Sequence, residues 1–178
     1  VCDRENGAPV IRRPEQTARL TVHDILEPPG TFPAKPLFID GRAEGTKERA
    51  RRGINALGEG VPFLVVYYGS DGGGGWQPLD RPIRTLTTLD RFGLVDWDGD
   101  EPTLRMLQVP ELKRAMGFGD EYELPHGTRR DKIKLLGNGV CPQVMEAIVD
   151  QLIDPVITGV PASVGDAPGT SAPMSPVQ

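Results

Sequence analysis

Glycine and proline interrupt this chain more strongly than any other feature of its sequence. The 22 glycines and 18 prolines make up over a fifth of the 178 residues, whereas average usage is about 12%. Both residues break regular structure, so every helix and strand must be short and much of the chain must be turn or loop. The chain length suits one domain with a modest core, since domains usually contain roughly 100–200 residues.

Apolar runs between these breaks predict the strands. VPFLVVYY at 61–68 is rich in β-branched and aromatic residues, which is typical of a buried strand. Alternation predicts a second strand at 83–88, and 91–97 is a candidate third strand. Residues 20–26 could form either a short strand or a single helical turn.

Three segments are predicted to be helical: 46–57, 109–118 and 142–153. Thr46 is the expected N-cap of the first helix and Gly58 its C-cap. Residues 109–118 enter a helix through Pro110, a residue that suits the first helical turn. In 142–153 apolar residues recur at steps of three and four, which predicts an amphipathic helix. The fold class expected from these elements is mixed α/β.

The remaining segments are predicted to be irregular. Residues 132–140 read as a short apolar stretch that ends in a Gly-Asn-Gly turn. Residues 1–14 are polar and are expected to be poorly ordered. Residues 154–178 hold five prolines and no aromatic residue, so we expect a disordered tail.

The composition excludes several classes of protein. Two distant cysteines, Cys2 and Cys141, cannot form the framework of a disulfide scaffold, and no ligand spacing typical of zinc occurs. No apolar run is long enough to span a membrane and no signal sequence is present, so a cytoplasmic protein without a metal is expected. The net charge of −5 does not exclude nucleic acid, because 42–52 and 129–134 are locally basic.

Two ordered motifs are far more specific. The first spans 105–120, RMLQVPELKRAMGFGD, and the second spans 137–142, GNGVCP, before the last predicted helix. Together they resemble the last two conserved blocks of the DNA cytosine-5 methyltransferase family, of the Dcm-like type. The matching positions are Arg105, Leu107, Glu111, Arg114, Gly117, Phe118, Gly137, Asn138, Val140 and Pro142. Departures from the family pattern are Gly119, Gly139 and Cys141.

The resemblance implies a division of labour along the chain. Residues 15–102 would form a small, irregular, β-rich target recognition lobe. Residues 103–153 would return to the catalytic domain and pack on a Rossmann-like sheet that this sequence does not contain. Asn138, Gly139 and Val140 would line the S-adenosylmethionine pocket, or alternatively form only a helix-entry turn. Arg105, Glu111, Arg114, Gly117 and Phe118 would be structural, with Arg114 paired to Glu111 or Asp120.

The same resemblance makes duplex DNA the expected partner. The candidate DNA contacts are Arg84, Thr85, Thr87, Thr88, Arg91 and Trp76. Hydroxyl and guanidinium groups suit phosphate oxygens, and Trp76 could stack on a base or fill the space of a flipped nucleotide. The threonines are equally good strand formers, and Trp76 could simply pack under the glycine run at 72–75. Arg49, Arg51 and Arg52 of the first predicted helix could also lie along DNA or form a solvated helix face.

The family's catalytic motifs do not occur in this sequence. Its chemistry needs a thiolate from a Pro-Cys loop and an acid from a Glu-Asn-Val motif. No catalytic residue is therefore predicted, and the chain alone is expected to be inactive. The expected protein is a fragment or subunit of a methyltransferase of a bacterial or phage restriction-modification type, with a second chain carrying the catalytic half. The alternatives are a non-catalytic DNA-binding protein and an inactive remnant.

Overall fold

A computed structural model describes residues 19–68 and 73–158, with side chains through 153. The helices are α1 (Val22–Ile25), α2 (Glu44–Leu57), α3 (Val109–Ala115), α4 (Arg129–Asn138) and α5 (Pro142–Thr158). The strands are β1 (Lys35–Pro36), β2 (Phe63–Val66), β3 (Trp76–Pro78), β4 (Phe92–Asp98) and β5 (Glu101–Met106).

The five strands form one sheet in the order β1-β5-β4-β2-β3, and every neighbouring pair is antiparallel. The longest pairing joins β4 to β5, from Gly93 opposite Met106 to Asp98 opposite Glu101. A two-residue loop connects these strands, and its Gly99 has a φ of 61°. Tight hairpin loops require such positive φ values, which glycine adopts without a steric cost.

Both faces of the sheet are buried at β2. Leu64 and Val66 of β2 face a core that includes side chains from α1, α3 and α4. The alternate residues Phe63 and Val65 face a second core against α2. Successive strand side chains point to opposite faces, so a strand covered on both sides is apolar throughout. This arrangement confirms the predicted mixed α/β class.

Helix α2 lies close to the sheet because of a glycine. A Cβ at Gly53 would stand 2.3 Å from the ring of Phe63, so only glycine permits this approach. The helix begins at Glu44 after Ala43 and ends at Gly58, whose N–H donates to the carbonyl of Ile54 at 2.8 Å. The predicted C-cap is confirmed. The predicted N-cap is wrong, since Thr46 is a buried residue inside the helix.

Other elements differ from the sequence predictions. Residues 83–88 are not a strand, because this segment pairs with none of the strands of the sheet. Residues 132–138 belong to α4 rather than to a loop. A capping box starts this helix: Thr128 and Asp131 each bond to the other's backbone N–H. The predicted strands at 61–68 and 91–97 are confirmed as β2 and β4, and residues 20–26 contain the helical turn α1.

Among the described residues, those up to Met145 belong to one compact unit and those from Glu146 belong to another. The division predicted at 102/103 falls inside β5 and remains a prediction about function. Helix α5 continues five residues beyond its predicted end. The predicted poorly ordered N-terminus and the remainder of the predicted tail, 159–178, lie outside the described residues. Within the described ranges, no helix has the length and apolarity needed to cross a bilayer.

Candidate functional site

A buried ion pair lies at the centre of the first motif. Strand β5 supplies Arg105 and α3 supplies Glu111, and the guanidinium nitrogens lie 2.8 and 2.6 Å from the two carboxylate oxygens. Glu111 is fully buried, and it also accepts hydrogen bonds from the backbone N–H groups of Gln108 at 2.7 Å and Glu27 at 3.1 Å. Each carboxylate oxygen therefore has two donors.

The electrostatics of Glu111 follow from these contacts. Burial acts to raise the pKa of this carboxyl, but the hydrogen bonds from Arg105, Gln108 and Glu27 outweigh it and hold the pKa below its usual value. The carboxylate is therefore ionised at neutral pH. Its donors come from β5, from the N-cap of α3 and from the chain after α1, so Glu111 joins these segments to α3.

Arg114 has a different partner from those predicted. Its Nε donates to the carbonyl of Ile25 at 3.1 Å, and its guanidinium lies 2.7 Å from the carboxylate of Glu27. The predicted pairing of Arg114 with Glu111 or Asp120 is wrong, because Arg114 pairs with Glu27 and Glu111 pairs with Arg105. Glu27 contacts Glu111 through its N–H and Arg114 through its side chain, although it precedes both residues by more than 80 positions.

Gly117 and Phe118 end the first motif at a close contact with the start of α5. Gly117 has a φ of 78°, and a Cβ there would stand 2.2 Å from the side-chain oxygen of Gln143. The amide of Gln143 donates to the carbonyl of Gly117 at 2.8 Å. Phe118 stacks on Tyr122 with ring centroids 4.4 Å apart. The contact between Gly117 and Gln143 therefore holds the turn after α3 against the first turn of α5.

The second motif contacts the segment predicted to bind DNA. Gly137 lies in the last turn of α4, where a Cβ would stand 2.3 Å from the carbonyl oxygen of Thr87 and 2.6 Å from the nitrogen of Thr88. These obstacles are backbone atoms, which cannot move aside as a side chain can. At the other end of α4, Arg129 pairs with Asp90 and donates to the carbonyl of Leu107 at 2.6 Å. Helix α4 thus supports residues 87–90 from both of its ends.

The model of the C-5 cytosine-specific DNA methylase family matches residues 43–154, well over half of the chain. That range includes both motifs, α2 and the whole of the predicted DNA-contact segment. The chain belongs to this family. No curated protein and no solved structure gives a match.

In this methylase-family chain, the three predicted cofactor residues follow one another directly at the end of α4. Asn138 and Val140 are exposed, and the N–H of Gly139 donates to the carbonyl of Leu136 at 3.0 Å. A Cβ at Gly139 would meet the ring of Phe118 at 3.6 Å. The expected tight turn is wrong for Gly137 and Asn138, which are the final helical residues.

The predicted DNA residues lie in an irregular segment whose backbone is well anchored. Tyr68 donates from its hydroxyl to the carbonyl of Thr85. The side chain of Gln77 bonds to the carbonyl of Pro82 at 2.7 Å and to the N–H of Arg84 at 3.2 Å. Thr85 is exposed, whereas Thr87 and Thr88 are half-buried. Hydrogen bonds from the side chains of Tyr68 and Gln77 hold the backbone at 82–85, where the predicted strand would have had hydrogen bonds to a neighbouring strand.

The arginines and the tryptophan of this set lie in different surroundings. Arg91 is half-buried and donates to the carbonyl of Tyr67 at 2.6 Å. Trp76 is half-buried and meets Phe63 edge to face, with ring centroids 6.5 Å apart. Arg84 donates to the carbonyl of Gly73 at 3.3 Å. All three side chains are half-buried and have contacts within the fold, and their contact with DNA stays a prediction.

A cluster not predicted as a unit forms around the glycines at 73–75. A Cβ at Gly73 would meet Arg84, one at Gly74 would meet Trp76, and one at Gly75 would meet Arg49 of α2. We call these six residues the glycine-turn cluster. The glycine run is the sequence feature that could have indicated this cluster. Only the fold shows that α2 supplies a second arginine, Arg49, beside Arg84. Among the described residues, no group of His, Cys, Asp and Glu could hold a metal ion.

Proposed function

We propose that this chain serves DNA cytosine-5 methylation as the part that recognises DNA and contributes one wall of the cofactor site. The proposal covers a Dcm-like enzyme of a restriction-modification system. DNA would bind over the glycine-turn cluster and residues 84–91. The Pro-Cys and Glu-Asn-Val groups would come from polypeptide outside the 178 residues of this sequence.

The family match supports this proposal, and one contact carries it further. Gly137, next to the proposed cofactor residues, packs directly on the backbone of Thr87 and Thr88, which belong to the proposed DNA segment. A shift of one segment would move the other by direct contact. The arrangement suits an enzyme that must hold a cofactor and a DNA base in a fixed relation.

Asn138, Gly139 and Val140 fit one wall of an S-adenosylmethionine site. Asn138 offers an exposed amide that can donate and accept hydrogen bonds, Val140 offers exposed apolar surface, and Gly139 adds no side chain between them. S-adenosylmethionine supplies the methyl group when bound. These residues would bind and orient it, and they carry no group that could transfer a proton.

A methyl-transfer assay tests the division of labour. We expect no transfer to duplex DNA by the purified chain alone. Transfer should appear when the chain is combined with a co-purifying polypeptide that carries the Pro-Cys and Glu-Asn-Val motifs. Replacing the cysteine of that Pro-Cys loop by alanine should abolish it. Transfer by the chain alone would contradict the proposal.

DNA binding tests the proposed interface. Arg84→Ala should weaken duplex binding and lower the slope of log K against log salt by about one, as expected for the loss of one phosphate contact. Lys35→Ala is the matched control, because it also removes one positive charge. Lys35 is exposed and lies on β1, outside the glycine-turn cluster. Equal weakening by both variants would contradict a local interface.

A non-catalytic DNA-binding protein is the second candidate function. The observation that favours it is that the central strands of the sheet are buried on both faces by side chains of this chain. Sequence-specific duplex binding without any co-purifying catalytic polypeptide would support this candidate. The absence of both binding and a partner would instead support the inactive remnant.

A further inference from the structure

A cleft of about 900 Å³ lies on the face of the sheet opposite α2, beyond the part covered by α1. Its floor is the β4–β5 hairpin, and its wall is the loop from Pro28 to Ala34. The floor side chains are Leu94, Asp96, Asp98, Thr103 and Arg105. Cross-strand pairing of Asp96 with Thr103 and of Leu94 with Arg105 places them on one face. We call this site the proline-walled cleft.

The wall of the cleft is rigid. Pro28, Pro29 and Pro33 have fixed φ angles, and Gly30 adopts a φ of 82°. Thr31 closes the turn, since its N–H and its hydroxyl both donate to the carbonyl of Pro28, at 3.1 and 2.8 Å. A ligand would therefore bind without a large cost for ordering the loop.

The charges lining the cleft leave a negative excess. Arg105 is paired with the buried Glu111, and Glu27 is paired with Arg114. Asp96 accepts a hydrogen bond from the N–H of Trp97 at 2.9 Å. Among the described lining residues, the guanidinium of Arg105 is already paired with Glu111. Asp96 and Asp98 therefore leave the lining with a net negative charge.

The cleft also presents an aromatic ring. Phe32 lines it, and the guanidinium carbon of Arg105 lies 5.5 Å from the centre of that ring. Trp97 borders the cleft too, but its ring packs on Phe63 in the core beside α2. A planar guanidinium stacks on aromatic faces and binds carboxylates with two parallel hydrogen bonds, whereas an ammonium does so less well. Carboxylates beside rings therefore favour arginine.

We propose that the proline-walled cleft binds an arginine-bearing, extended segment of a partner protein. The negative floor would repel the phosphates of DNA, so this surface is distinct from the proposed DNA interface. The volume lies within the range of about 300–1,000 Å³ typical of ligand pockets and exceeds what one guanidinium fills. An extended segment with neighbouring proline or aliphatic residues would occupy the rest. This role is independent of methylation.

Fluorescence anisotropy with a labelled peptide containing two arginines and two prolines tests the proposal on the full chain. We expect the peptide to bind, and a peptide with lysines in place of the arginines to bind several-fold more weakly. Asp96→Asn combined with Asp98→Asn should weaken binding at least tenfold. The matched control, Glu121→Gln with Glu123→Gln, alters two exposed carboxylates that do not line the cleft and should change binding less than twofold.

A second pair of variants tests the aromatic contribution. Phe32→Leu should weaken peptide binding several-fold, while Phe38→Leu, an exposed ring on Arg51 outside the cleft, should not. Thermal unfolding of each variant shows whether it is folded. Equal binding by the Asp96/Asp98 variant and its control would overturn the proposal, as would no binding by the folded wild-type chain.

Discussion

At the scale of single residues, the motif side chains act mainly by holding the fold together. Glu111 is the clearest case, since its buried carboxylate uses donors from three separate parts of the chain. Burying a charge is costly, and the cost is offset only when the partners are all present. Removing a single partner should therefore have a large effect.

Glu111→Gln should lower the free energy of unfolding by about 3–5 kcal/mol, because it leaves the guanidinium of Arg105 buried without a counter-charge. Urea denaturation measures this change. Glu123→Gln, an exposed carboxylate in the loop before α4, is the control and should change stability by less than about 0.5 kcal/mol. Equal changes in the free energy of unfolding for the two variants would mean that the buried Arg105–Glu111 pair does not stabilise the fold.

Gly137→Ala should destabilise the chain by about 1–3 kcal/mol, since the new methyl group would overlap the backbone of Thr87 and Thr88. Gly45→Ala is the matched control. It is also a helical glycine, but its Cβ would meet only the guanidinium of Arg49 at 3.4 Å. This control should be neutral or stabilising by up to about 1 kcal/mol. A stabilised Gly137→Ala variant in thermal unfolding would show that the contact is loose.

At the scale of elements, local signals in the sequence predicted some features well and others poorly. Strand β2 is uniformly apolar because it is buried on both faces, so its composition alone indicated a strand. Strand β5 was missed because Glu101, Pro102 and Arg105 are poor strand signals. It forms because the loop at Gly99 returns the chain alongside β4, and pairing then outweighs propensity.

Helix α4 was missed for a related reason. Gly137 and Asn138 are typical turn residues, yet here the glycine is required by packing and both residues continue the helix. Residues 83–88 show the opposite error, since their alternation is real but their backbone pairs with none of the described strands. The pairing of Arg114 with Glu27 joins positions 87 apart, and no local pattern could have predicted it.

The capping box of α4 gives an element-scale prediction. Thr128→Ala should cost about 1 kcal/mol of stability, because the side chain of Thr128 accepts from the N–H of Asp131. The hydrogen-exchange rate of the Asp131 amide should rise in the same variant. Thr128→Ser retains the hydroxyl and should restore most of both values. If serine fails to restore them, the methyl group rather than the cap is important.

At the scale of the whole molecule, carboxylates with lowered pKa values make stability depend on pH. The pKa of Glu111 is lowered by the balance described above. The backbone N–H and hydroxyl of Thr21 lower the pKa of Asp24, and the hydroxyl and N–H of Thr128 lower that of Asp131. A group whose pKa is lower in the folded state binds its proton more tightly when unfolded.

Stability should therefore be complete above the unfolded pKa values, about 4 to 4.5, and should fall as the pH drops through the folded values. Thermal unfolding from pH 7 down to pH 3 measures this loss. The Glu111→Gln variant should lose less stability across that range than the wild-type chain, since its largest buried contributor no longer titrates. A parallel pH profile for both proteins would show that Glu111 does not contribute to acid sensitivity.

The contact between Gly137 and the backbone at Thr87 and Thr88 has a consequence for engineering. Replacement of residues 84–91 of this chain as an isolated cassette should destabilise it, because the carbonyl of Thr87 and the nitrogen of Thr88 form the surface on which the end of α4 rests. A graft of residues 84–91 would need the donor's backbone path at these two positions and the glycine beneath them. Grafts that carry α4 with the segment should stay folded where grafts of the segment alone unfold.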